Sequence, residues 1–141
     1  ASNGSIMTAA NMRQKLKDIK ARDGKVVVID PRRTETADIA SEHHFIRPAT
    51  DVWLLLAMLN EIYAQGYAKK ARVDNRAADL APEIERIADL AKGYSAESVA
   101  DITGIAADEI KRLVKEFCEA ESSVCYSRMG VSVQEFGLLS Q

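Results

Sequence analysis

The sequence predicts an α/β fold with a small parallel sheet flanked by helices, and three observations predict it. The run Lys25-Val26-Val27-Val28-Ile29-Asp30 is β-branched and apolar without alternation, the pattern of a strand covered on both faces. Stretches with helical apolar spacing, punctuated by Gly and Pro, surround it. A second β-favouring run, Ser123-Val124-Cys125-Tyr126-Ser127, follows those helices, and strands separated by helices belong in a parallel sheet.

In chain order, Ala1-Ser2-Asn3-Gly4-Ser5 reads as a turn. Thr8 is placed to cap a helix whose apolar side is Met12, Leu16 and Ile19 and which ends at Gly24 after Asp23. Pro31 stops the first strand because it has no N–H for the ladder. A short helix is expected over Thr34 to Ser41, then an extended segment from His43 to Pro48, since Pro48 disfavours helix at Arg47. Thr50 or Asp51 caps a strongly apolar helix through Gln65, closed by Gly66. Tyr67 to Leu80 is polar and carries no clear pattern. Pro82 suits the first turn of a helix through Lys92, ended by Gly93. Ser95 caps a short helix that ends at Gly104, and another opens at Ala107 or Asp108 with Ile110, Leu113, Val114 and Phe117 as its apolar residues. Arg128-Met129-Gly130 leaves the second strand as a loop. Two strands make a thin sheet, so residues 1–141 read as a single domain cut from a larger one.

The composition excludes several classes. The 141 residues carry 19 Lys and Arg against 21 Asp and Glu, a net charge of −2, which advertises neither nucleic acid nor an anionic membrane. The longest apolar run, Val52 to Leu59, is too short for a bilayer. Cys118 and Cys125 match no metal motif, and adjacent His43 and His44 on an extended segment point to opposite faces and cannot easily share a metal. No nucleophile–base set and no phosphate loop is present.

Ligand chemistry is expected in three places. Ile29-Asp30-Pro31-Arg32 lies at the carboxyl end of the first strand, where open α/β sheets bind ligands. Asp30 there can accept from ribose or guanine, or merely cap the turn, and Arg32 can hold phosphate or remain solvated. At Arg47-Pro48-Ala49-Thr50-Asp51, Asp51 can cap its helix or accept from the N–H edge of a guanine. At Met129-Gly130 the glycine permits close backbone approach. A rival reading takes Ser95 to Phe117 as a helix-turn-helix with Lys111, Arg112 and Lys115 toward DNA, against a net acidic surround.

Five segments together resemble the molybdopterin oxidoreductase family of formate dehydrogenases, nitrate reductases and dimethyl sulfoxide reductases. Ser2-Asn3-Gly4-Ser5 is similar to the end of G-x-N-P-x-x-S, and Val27 to Ala37 to V-x-D-P-R-x-T-x-T-A. Arg47-Pro48-Ala49-Thr50-Asp51 with Leu54-Leu55-Leu56-Ala57 resembles R-P-G-T-D-x-A-L-L-x-A. Gly93-Tyr94-Ser95 through Gly104 and Ile110 resembles G-Y-(T/S)-P-E-x-V-x-x-I-T-G-V-x-x-x-x-I, and Met129-Gly130-Val131-Ser132 resembles M-G-V-(T/N). The resemblance implies a Rossmann-like, three-layer cofactor-binding fragment of a molybdenum or tungsten oxidoreductase whose metal is held by two molybdopterin guanine dinucleotides (bis-MGD). It implies that Ile29, Asp30 and Arg32 line the nucleotide, that Ala49 and Asp51 do so with Asp51 reading guanine, and that Met129 and Gly130 approach the pterin. The implied partners are the parent's other domains and electron-transfer subunits. Metal ligand and any iron–sulfur cluster would belong to the parent outside this chain, which would not turn over alone. A stand-alone nucleotide-binding module is the alternative. Ala49 stands where the family has Gly, so a positive φ there would be strained, and Val133 stands where many members have Gln.

Overall fold

A computed structural model describes residues 11–70, 81–127 and 129–132. The expected cap at Thr8, the opening turn, most of the Tyr67–Leu80 stretch, Arg128 and the Val133–Gln134 pair lie outside the described residues. The chain is α/β and mostly helical. It divides into two compact units, one running to Val52 and resuming at Tyr126, the other spanning Trp53–Cys125.

The first unit begins with α1 (Met12–Ala21). Its end is a Schellman closure: Asp23 N–H donates to Lys20 O and Gly24 N–H to Ile19 O, with Asp23 at φ 61°. Gly24 is required there, because a Cβ would lie 2.7 Å from both Ile19 O and Ile19 Cγ2. The chain then enters β1 (Val27–Ile29), crosses through α2 (Glu35–Ile39) and returns as β2 (Glu42–His44). The strands are parallel, with Val27 opposite Glu42, Val28 opposite His43 and Ile29 opposite His44. Lys20 Nζ donates to the carbonyls of Ile39 and Ala40, satisfying acceptors left open at the end of α2. Val28, Ala37 and Ile46 form this unit's apolar core.

Two strand expectations are corrected. β1 is shorter than Lys25–Asp30, and its partner is Glu42–His44 rather than Ser123–Ser127. The latter segment has no strand pairing among the described residues, and Val124 is 84% exposed. β-branched side chains favour an extended backbone, but a strand exists only where a second backbone meets it.

The helix α3 (Asp51–Ala64) opens in the first unit and continues into the second, followed by a 3-10 turn at Tyr67–Lys70. The second unit adds α4 (Ala81–Ala91), α5 (Ala96–Thr103) and α6 (Ala107–Glu119). Asn60 Nδ2 donates to Ala91 O at 2.9 Å, capping the last turn of α4, and Trp53 packs edge-on against Tyr94. Ser95 Oγ caps α5 by accepting from Ser98 N–H, and Gly104 closes it at φ 77°. Fully buried Thr103 bridges the turn: its hydroxyl donates to Val99 O and accepts from Ile105 N–H. Val99 on α5 and Ile110 and Val114 on α6 are buried, and the two helices pack against each other.

Glu97 and Lys111 join α5 to α6 by an exposed ion pair. The hydrogen bond from Lys111 is the largest cause holding the Glu97 carboxyl down at about 2, below its ordinary 4.5. A carboxyl depressed in the fold stabilises above its unfolded value, and that contribution is lost as pH falls from 4.5 through about 2. In an NMR titration the Glu97 side-chain carbonyl should turn over near pH 2, and Lys111→Met should move the midpoint up toward 4.5. An unmoved midpoint would show that the pair does not persist in solution.

Candidate nucleotide cleft

At the carboxyl end of β1 the sequence turns away from the sheet at Pro31, and Asp30 is held from several directions. Its N–H donates to His44 O at 3.2 Å, extending the ladder by one residue. Its carboxylate Oδ1 accepts from Arg32 N–H at 2.8 Å, a local turn closed by an Asp side chain. Asp30 is 4% exposed. Thr34 then caps α2, its hydroxyl accepting from Ala37 N–H.

The loop before α3 presents the second carboxylate. Thr50 N–H and Oγ1 both donate to Arg47 O, folding Pro48 and Ala49 into a turn. Ala49 takes φ 64°, a left-handed conformation that costs an L residue roughly 1–2 kcal/mol. The turn therefore keeps the glycine-like backbone and bears the strain. Asp51 opens α3 directly after it. The third segment, expected as a loop, is the one-turn helix α7 (Met129–Ser132).

Five of the seven expected residues come together. Ile29, Asp30, Ala49, Asp51 and Gly130 line one cleft of about 190 Å³, with Pro31 and Pro48 completing the wall. All belong to the first unit. Arg32 does not join them: its side chain is exposed and only its N–H serves the Asp30 turn. Met129 begins α7, and its side chain lies outside the described residues.

The cleft has a definite chemical character. Its described lining offers two carboxylates and two prolines, with no cationic side chain. Carboxylates are acceptors when ionised, so the lining suits N–H or hydroxyl donors and not a phosphate. Its volume is below the roughly 300–1,000 Å³ of a pocket for a whole drug-sized ligand, so it can enclose a part of a larger molecule. Among the described residues, no group of three His, Cys, Asp or Glu could hold a metal ion, and no helix is long and apolar enough to cross a membrane.

Sequence reasoning missed His43. Its Nε2 lies 3.1 Å from Asp30 O, while His44 Nε2 lies 3.2 Å from Glu42 Oε2. The opposite-face expectation places the two rings apart but does not say which one meets Asp30.

The rival helical hairpin forms as α5 and α6. However, Lys111 is paired with Glu97, and Arg112 with both Glu109 and Glu116 at 2.7 Å. Cations already neutralised by carboxylates are poor phosphate ligands.

Comparisons with known proteins agree with the motif resemblance. Formate dehydrogenase H of Escherichia coli strain K12 is 34% identical over 113 residues, covering 80% of this chain and 15% of that protein. The nitrate reductase of Klebsiella oxytoca is 31% identical over 113 residues, covering 80% and 12%. The chain belongs to the molybdopterin oxidoreductase family. The solved structure of acetylene hydratase from Pelobacter acetylenicus matches 91% of this family member, and 17% of its own chain, with a TM-score of 0.76 at 25% identity. No protein-family model matches the sequence. This molybdopterin oxidoreductase segment thus spans about 12–15% of the length of those two curated relatives.

Proposed function

We propose that this chain holds the guanine–ribose end of a molybdopterin guanine dinucleotide within a molybdenum or tungsten oxidoreductase. The observation that supports it most is the cleft itself. Residues from three separate segments, each at a strand end or helix start, converge on one pocket of nucleobase scale. Two carboxylates against proline walls match a flat base with an N–H edge and a sugar with hydroxyls.

In this reading Asp51 accepts from guanine N1–H and N2–H₂. Asp30, oriented by Arg32 N–H and the His44 carbonyl, accepts from a ribose hydroxyl. Pro31 and Pro48 keep water from the ring faces. The bound group, in its bis-MGD form, would supply the redox chemistry of its metal. The residues here bind and orient and do not turn over alone. The relatives' names include a formate dehydrogenase, a nitrate reductase and an acetylene hydratase. What such proteins share in this segment is then the cofactor rather than the substrate. The parent's other domains and any electron-transfer subunits or iron–sulfur cluster would complete the enzyme.

Calorimetric titration with GDP and ADP tests the reading. GDP should bind in preference to ADP. Asp51→Ala should weaken GDP by about tenfold or more, the worth of a hydrogen bond to a charged group. Lys111→Ala should leave it unchanged. Equal binding of ADP, or no effect of Asp51→Ala, would overturn it.

A further inference from the structure

We infer that His43 is a positioning residue that holds the Asp30 edge of the cleft. The inference rests on the nucleotide reading and adds a residue to it. His43 stands opposite Val28 in the parallel pair, and its Nε2 reaches past the strand end to Asp30 O. A carbonyl oxygen only accepts, so Nε2 is the protonated nitrogen. Nδ1 is then a bare acceptor, and it is buried with no hydrogen-bond partner among the described residues.

That orphaned nitrogen carries the argument. If His43 served packing alone, a phenyl ring would fill the space and meet Phe45, whose ring centroid lies 4.4 Å away, without burying an unpaired polar atom. The imidazole has one advantage over phenyl, and that is its Nε2–H on Asp30 O. Together with Asp30 N–H on His44 O, this contact pins both ends of the Asp30 peptide frame, one from each of two adjacent residues of β2. The direction in which Asp30 and Pro31 leave β1 is set there, and both residues line the cleft. A small rotation of that frame would move the carboxylate away from a ribose hydroxyl.

The test separates positioning from packing. His43→Phe keeps the ring and loses the donor. His43→Gln keeps a donor near the Nε2 position. Long-range ¹⁵N spectra of the full chain should show His43 as the Nε2–H tautomer. The Asp30 carbonyl ¹³C resonance should shift in His43→Phe and return toward its original value in His43→Gln. GDP affinity should fall about three- to tenfold in His43→Phe, the worth of one neutral hydrogen bond, and recover in His43→Gln. The melting temperature of His43→Phe should change little, because the variant removes an unpaired buried nitrogen together with the donor to Asp30 O. An Nδ1–H tautomer, an unmoved Asp30 carbonyl, or parallel loss of stability and binding would overturn the inference. The two spectroscopic readouts need no ligand. If the unmodified chain fails to bind GDP, the nucleotide reading falls while the contact is still judged by them. If it binds and His43→Phe binds equally well, the positioning role falls and the nucleotide reading stands.

Discussion

Ile110→Ala is expected to destabilise the α5–α6 pair by about 2–5 kcal/mol, the usual range for emptying a fully buried branched aliphatic site. Ile110 is 0% exposed and lies in the first turns of α6, with Val114 and Val99 equally enclosed. The neighbours are fixed by α5's own caps at Ser95 and Gly104 and by Thr103 bonded across the turn, so collapse into the vacated volume is restricted. A small domain is stable by only about 5–15 kcal/mol in total, so the loss is a large fraction of it. Hydrogen exchange of the α5 and α6 amides is the direct measurement. Ile102→Ala is the matched control, since Ile102 is 36% exposed and has less burial to lose. If both variants speed exchange equally, Ile110 is not the keystone of this packing.

The apolar side of α6 was legible from spacing alone. Ile110, Leu113, Val114 and Phe117 repeat at helical intervals, and local signals of that kind are decided within a turn or two of chain. The cap at Ser95 and the helix end at Gly104 were legible for the same reason, because each depends on a side chain and a backbone a few residues away, whereas the cap that Thr34 provides is a finding of the structure. Strand pairing is different. Ser123–Ser127 has the composition of a strand and no strand pairing among the described residues, while Glu42–His44 has a glutamate and two histidines and pairs in register with β1. The decisive group, the backbone of β1, is distant in sequence and leaves no mark on Glu42–His44.

The cleft follows the same division. The three segments that carry Ile29, Asp30, Ala49, Asp51 and Gly130 could be nominated because strand ends and helix starts are where backbone and carboxylates face a ligand, and the family resemblance picked out Ile29 and Ala49 within them. Arg32 could not be judged, since the Asp30 turn takes its N–H and leaves the side chain exposed. His43 could not be distinguished from His44, because period-two alternation separates faces without naming the one that meets Asp30.

Ala49 offers the sharpest test of the cleft's backbone. Ala49→Gly is expected to stabilise the first unit by about 1 kcal/mol, and Ala49→Val to destabilise it by about 1 kcal/mol or more. The residue is exposed and sits at φ 64°, so packing contributes little and the series reads backbone strain. Glycine has no Cβ to oppose a left-handed backbone, alanine has one, and valine branches at that carbon. Glycine regains some freedom in the unfolded chain, which trims its advantage without reversing it. Melting temperatures should therefore rank Gly above Ala above Val, separated by roughly 3 °C or more at each step. The valine variant should also weaken GDP, because relief of the strain would rotate the Pro48–Ala49 wall and the start of α3 that carries Asp51. A flat series would mean that Ala49 leaves the left-handed region in solution. The turn would then present Asp51 differently from the arrangement on which the cleft depends.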